Sequence, residues 1–133
     1  MADTTMQVEL VAADRLAWSG EATMVIARTT EGDAGILPNH APMLSLMVDG
    51  IVDVTTADGE TWIAAVDAGF LSVANNRISI LAEHAEMSHD IDLEKARNDL
   101  ERAHQAGEND DEADAAVGRA WAEARIRAAE KAS

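Results

Sequence analysis

Cysteine is absent from the chain. That excludes disulfides, thiolate nucleophiles and Cys-ligated metal. Aromatic side chains are scarce: Trp18, Trp62, Trp121 and Phe70 are all of them. Any core must therefore be aliphatic and small. Basic residues are few as well. Ten Lys and Arg stand against 25 Asp and Glu, so the net charge is −15 and the pI is near 4.4. So acidic a surface repels phosphate backbones and anionic lipid, which argues against nucleic-acid binding and against docking directly on an anionic membrane. No apolar run approaches the roughly 18 residues of a membrane span. Residues 1–6 hold no basic stretch leading into an apolar one, as a signal peptide would. Proline occurs only as Pro38 and Pro42.

What is present divides into two parts. At 133 residues and 47% apolar content, the chain fits one medium domain or two small ones. From Met6 to about Glu86 short alternating runs follow one another. Val8 and Leu10 alternate with Gln7 and Glu9; Leu16–Ser19 makes a short second strand, with Ser19-Gly20 as a turn; Ala22–Thr29 and Met43–Val48 follow. Asp49-Gly50, Asp58-Gly59 and Asn75-Asn76 are turn pairs. Val52 and Val54 share one face, as do Ile78 and Ile80. Frequent turns between short strands imply an all-β sandwich or barrel over residues 1–87.

The period changes in residues 88–133. Leu93, Ala96, Leu100 and Ala103 make a helical stripe, with Asp92 as N-cap and Gly107 as its stop. Asn109 with Glu112 fits a capping box for a second helix, whose stripe is Ala113, Ala116, Val117, Ala120, Trp121, Ala124 and Ala128. Charge is uneven: residues 1–87 carry net −10, and residues 88–133 net −5 with seven of the ten cations. The second helix has acid at its start and Arg119, Arg125, Arg127 and Lys131 toward its end, which suits the helix dipole. A seam made mostly of alanine is thin, so the helices are expected to detach from the β half at low cost.

The sequence offers little independent chemistry. His40, His84, His89 and His104 form no metal-ligand spacing, no phosphate loop occurs, and Ser19 and Ser45 lack a nucleophile elbow. Attention falls on Gly32 to Pro42, which gathers two glycines and both prolines into eleven residues. It reads as a tightly shaped loop between strands, with Asp33 and His40 as its polar groups and Ile36 and Leu37 packing back beside Pro38. A plain connection between strands accounts for it equally from physics alone. The arginines of the helices read either as a solvated face or as a surface for acidic partners or a phosphate.

Gly32-Asp33-Ala34-Gly35-Ile36-Leu37-Pro38-Asn39-His40-Ala41-Pro42-Met43-Leu44-Ser45 strongly resembles the loop signature of the epsilon subunit of bacterial F-type ATP synthases. The likeness extends along the whole chain. It implies a mainly β plus α fold: an N-terminal β-sandwich of about ten strands followed by a C-terminal antiparallel two-helix hairpin. It implies a non-catalytic rotor subunit in the central stalk, peripheral on the cytoplasmic face of the membrane and not inserted in it. The implied partners are the gamma subunit, the c-ring, and the alpha and beta subunits of the catalytic head, with the hairpin restraining ATP hydrolysis. By that resemblance Asp33, Gly35, Ile36, Leu37, Pro38 and His40 face gamma and the ring, and Arg119, Arg125 and Arg127 meet the head. Some epsilon subunits also carry a helix-start motif, Ile/Leu-Asp-x-x-Arg-Ala, associated with ATP. Here Ile91, Asp92 and Ala96 match it, Lys95 stands where the arginine belongs, and Arg102 shares the face of Lys95. No cofactor is required, and ATP is expected at most as a weak regulatory ligand; structurally, Asp92 serves equally as a simple cap. Two other classes remain: a free-standing β-sandwich binding module using Trp18 and Trp62 as a platform, and a small hydrolase using Asp33 and His40.

Overall fold

In a computed structural model, residues 4–109 and 112–132 are described, and the side chains of residues 106–117 lie outside the described set. β1 (Met6–Ala12) alternates buried and half-buried positions as its sequence dictates. β2 is longer than expected: it runs unbroken from Arg15 to Thr29. Ser19-Gly20 is therefore not a turn but lies mid-strand, paired with Glu9 and Val8 of β1. A Cβ at Gly20 would come within 3.0 Å of the Trp18 ring, so the glycine makes room for that indole rather than turning the chain.

The remaining strands are β3 (Gly32–Ile36), β4 (Met43–Leu46), β5 (Gly50–Thr56), β6 (Thr61–Val66), β7 (Gly69–Ala74), β8 (Arg77–Ala82) and β9 (Ala85–Met87). Nine strands are present among the described residues, in keeping with the expected sandwich of about ten; Leu16–Ser19 and Ala22–Thr29 are one strand, and β3 and β9 add two. Their order is β4-β7-β8-β1-β2-β5-β6-β9, with β3 also on β2. The first half of β2 pairs with β1, and from Ala22 onward it pairs with β5 and β3. A register shift between Ala22 and Met24 marks the crossing. One strand thus serves both layers of the sandwich. Twenty buried apolar residues fill the space between them, among them Met6, Val8, Val25, Leu71, Ile78 and Ile80.

Two turn pairs behave as expected. Gly59 (φ +85°) closes β5–β6, and Asn75 and Asn76 (φ +53° and +58°) close β7–β8. Asp49-Gly50 does not make a hairpin, since β4 pairs with β7 and β5 with β2 and β6. The chain there crosses between layers, and Asp49 Oδ1 accepts a hydrogen bond from the Ala68 N–H at 2.9 Å. At Gly69 a Cβ would lie 1.9 Å from the Leu81 carbonyl oxygen, so no other residue fits that approach of β7 to β8.

After β9 a 3₁₀ turn at Ser88–Asp90 leads to α1 (Leu93–Asn109) and α2 (Glu112–Ala132). Asp92 caps α1, its Oδ1 accepting the Lys95 N–H at 3.1 Å. The expected stripe faces inward: Ala96 is fully buried, and Leu93, Leu100 and Ala103 are half-buried. Gly107 does not end the helix, which continues to Asn109. A glycine costs a helix about 1 kcal/mol relative to alanine and does not by itself stop one. The Asn109–Glu112 capping box and the Ala113, Ala116 and Val117 part of the second stripe lie outside the described side chains.

α1 packs on α2, and α2 lies against β5 and β6. β6 shows how the sequence specifies this. Its burial is continuous from Ile63 to Val66, because Trp62, Ala64 and Val66 face the sandwich core while Ile63 and Ala65 face α2. A strand covered on both faces reads as an unbroken apolar run, and Trp62-Ile63-Ala64-Ala65-Val66 is one.

Candidate functional site

One outer face of the sandwich is apolar where a solvated sheet would be polar. Leu46 of β4 pairs with Phe70 of β7, Phe70 with Leu81 of β8, Leu81 with Val11 of β1, and Val11 with Leu16 of β2. Directly paired residues point to the same side of a sheet, so these five form a row across five strands. Leu46, Phe70, Leu81 and Leu16 are each about half exposed, and Leu44, two residues before Leu46, is 73% exposed. Single exposed leucines are ordinary, but a contiguous apolar row marks an interaction surface. Sequence reasoning missed this row. Its signal was available in Met43-Leu44-Ser45-Leu46-Met47, where Leu44 and Leu46 alternate with Met43 and the buried Met47, so the strand has apolar residues on both faces.

The Gly32–Pro42 segment is only partly a loop. Gly32 (φ +114°) opens the return, and Gly32 to Ile36 then pairs with Val25 to Thr29 as β3. Ile36 is fully buried in the core, so among the expected contacts of this segment it is the one turned away from the surface. Asp33, Gly35, Leu37 and His40 are exposed and Pro38 is half-buried. Asn39 (φ +69°) is tied to the β7–β8 turn, where Asn76 Nδ2 donates to its Oδ1 at 3.1 Å. Asp33 and His40 are not brought together. His40 borders a cavity with Pro42, Asn75 and Asn76, whereas Asp33 borders another with Arg28, Asp53, Arg127 and Lys131. A hydrolase built on that pair finds no support. Trp18 and Trp62 are partly buried against the core, so the expected aromatic platform does not form either.

The hairpin is held by a small cluster and a few charges. Ile63, Ala65, Ala124 and Ala128 are buried together, with Ile51, Ile91 and Trp121 packed on them. Arg125 reaches Glu86 of β9 and Asp99 of α1. Its Nη1 donates to Asp99 Oδ2 at 3.1 Å, and its Nε lies 3.2 Å from Glu86 Oε1, an ionic contact without hydrogen-bond alignment. The Arg125 side chain is only 8% exposed. In this arrangement of the hairpin Arg125 joins three elements and faces little solvent. Arg119 is half-buried, and Arg127 is exposed at the cavity it shares with Asp33. Lys131 Nζ donates to Asp53 Oδ2 at 2.6 Å.

The expected nucleotide residues divide in the same way. Ile91 and Ala96 turn into the seam, whereas Asp92, Lys95 and Arg102 are exposed. Arg102 Nη2 lies 3.7 Å from Asp99 Oδ1, so Asp99 stands between Arg102 and Arg125.

A cavity of about 590 Å³ lies between the middle of α2 and the sandwich, lined by Asp49, Asp67, Glu83 and His84 on one side and Ala120 and Trp121 on the other. Burial, with the charge of Asp67 adding to it, raises the Asp49 carboxyl above its ordinary value. His84 Nδ1 lies 2.6 Å from Asp67 Oδ2, whose other oxygen accepts the His84 N–H at 2.8 Å. The hydrogen bond to Asp67 raises the imidazole above 6.5. Glu83 also comes close; it and His84 are exposed, and in this arrangement the imidazole Nδ1 is engaged by Asp67.

Comparison with known proteins supplies the family. A family profile described as "ATP synthase, Delta/Epsilon chain, beta-sandwich domain" matches residues 5–88. The ATP synthase epsilon chain of Streptomyces griseus is 50% identical over 123 residues, covering 92% of this chain and 94% of its own. That of Rhodococcus jostii is 48% identical over 128 residues, covering 96% and 98%. Among solved structures, a chain of the Euglena gracilis mitochondrial ATP synthase, in a structure of OSCP, F1 and c-ring, aligns over 99% of this chain and 83% of its own. Its TM-score is 0.80, and at 24% identity it speaks for the fold. A sandwich with an apolar outer face, a hairpin laid on its second layer and these relatives lead to one conclusion: the chain belongs to the epsilon-subunit family of F-type ATP synthases, stalk subunits that catalyse nothing themselves within a complex that makes ATP.

Proposed function

We propose that the sandwich grips the gamma subunit through its apolar row and rests on the c-ring through the Leu37–Pro42 turn, while the hairpin regulates ATP hydrolysis by the alpha–beta head. The complex sits on the membrane, and this subunit lies peripherally on its cytoplasmic face. The row from Leu46 to Leu16 carries this reading, because an isolated acidic protein gains nothing from holding such a face in water. The hairpin's role rests on disproportion. Among the described residues, twenty buried side chains close the sandwich, and four with three half-buried neighbours hold the helices to it. At roughly 1.5–3 kcal/mol for each large side chain fully buried, the second cluster is the one a partner can displace. An extended hairpin would present Arg119, Arg125 and Arg127 to acidic surfaces of the head.

Deleting residues 90–133 is expected to leave an assembled enzyme that hydrolyses ATP two- to fivefold faster than the intact one. Equal rates in the two assembled enzymes would reduce the hairpin to a structural role.

ATP itself is expected to bind the isolated chain only at millimolar concentration or not at all. Of the two cations near the helix-start motif, Arg102 lies beside Asp99, which Arg125 also engages, and only Lys95 stands fully clear of an acid among the described residues. Lys95 gives a point charge in place of the arginine fork, and the net charge of −15 repels the nucleotide. Calorimetry checks this. Lys95→Arg should tighten any binding, and micromolar affinity in the unchanged chain would overturn the expectation.

A further inference from the structure

We propose that His84 is a pH-sensitive latch that holds the hairpin against the sandwich while its imidazole carries a proton. The latch has two sides. On the sandwich, Asp67 fixes the ring through its 2.6 Å contact with Nδ1 and through the backbone N–H of the same residue. On the hairpin, the Trp121 ring lies 5.8 Å from the imidazole, centroid to centroid, with the planes inclined at 37°. His84 thus bridges the β8–β9 turn and α2, with the open cavity beside it. A cation within about 6 Å of an indole ring is attracted by its quadrupole, and a neutral imidazole keeps the ring–ring contact but loses that added attraction. The Asp67 contact lies wholly within the sandwich and survives undocking. The Trp121 contact does not, so it couples the proton to the position of the hairpin; the burial that docking adds acts the other way and is small for a side chain that stays 62% exposed.

Every charged group around the ring bears on the sign. Asp67 and Asp49 approach from the turns before β7 and β5, Glu83 from the same turn, and Asp14 and Arg15 from the β1–β2 turn. On the hairpin side Arg125, one turn beyond Trp121, is taken up by Glu86 and Asp99. The acidic surround favours the imidazolium in either position of the hairpin and moves its titration above 6.5. Docking then favours it further, through Trp121. The imidazolium's share of closure is fully present below that range and is lost as pH rises through the raised value.

The chain has no cysteine, so a donor–acceptor pair can be placed on Asp58→Cys and Glu101→Cys without background. The docked-to-undocked ratio is expected to fall roughly two- to fivefold between about pH 6 and pH 8.5. His84→Gln should abolish that dependence, and His40→Gln should keep it. If the hairpin stays docked throughout, the proton NMR titration of His84 in the full chain gives the same coupling by linkage. Trp121→Leu should lower its pKa by about 0.3–0.7, with the resonances of the sandwich unchanged. An unchanged or raised His84 pKa in Trp121→Leu, or a pH dependence that persists in His84→Gln, would overturn the latch. The readouts use the isolated chain, so they stand whether or not the hairpin regulates hydrolysis.

Discussion

A chain carrying Leu46→Asp and Phe70→Glu is expected to fold normally and to be lost from the ATP synthase. The two side chains are neighbours in the exposed row, paired directly across β4 and β7. Exposed substitutions of this kind change stability by about 0.5 kcal/mol or less. At an interface, central apolar anchors are worth about 2 kcal/mol or more each, so losing both weakens attachment on the order of a thousandfold. Isolation of the complex from native membranes, with the amount of this subunit measured against gamma, decides it. The melting temperature of the isolated variant serves as the control. A variant that melts normally and co-purifies in full amount would show that the row is not the contact with gamma.

Arg125→Ala should release the hairpin. The guanidinium is nearly buried and faces two carboxylates, Glu86 and Asp99, whose side chains are 28% and 32% exposed. Removing one partner of a buried ion pair costs about 3–5 kcal/mol, and partial exposure of the acids lowers that here to about 2–4 kcal/mol. The docked population then falls roughly thirty- to several-hundredfold. Proteolysis within α1 and α2 should accelerate accordingly, while the sandwich keeps its protection. Neutralising the acids as well, with Arg125→Met, Glu86→Gln and Asp99→Asn together, should restore most of the docking. Failure of that restoration, or unchanged proteolysis in the single variant, would mean that the apolar cluster suffices without the charges.

The sequence made some of this legible and hid the rest for identifiable reasons. Alternation placed Val52, Val54, Ile78 and Ile80 in the core, and Asp92 announced the start of α1. Strand continuity was hidden, because Ser19-Gly20 has turn chemistry and only the packing of Trp18 over Gly20 explains the residue. The same limit applied to Gly32–Ile36, whose glycines suggested a loop although its ladder to β2 makes a strand. Beyond the Met43–Met47 run the apolar row was hidden, because register, not spacing along the chain, brings Leu46, Phe70, Leu81, Val11 and Leu16 together. Arg125 looked like a free cation because its partners are 26 and 39 residues away.

β2 has a mechanical consequence. A strand that belongs to both layers ties them with a continuous covalent backbone and with ladders on each side. Sliding one layer over the other would require shearing many hydrogen bonds at once, whereas the hairpin can peel away contact by contact. Under load from a turning shaft the sandwich would therefore carry torque as one stiff piece, and strain would collect where the helices meet it.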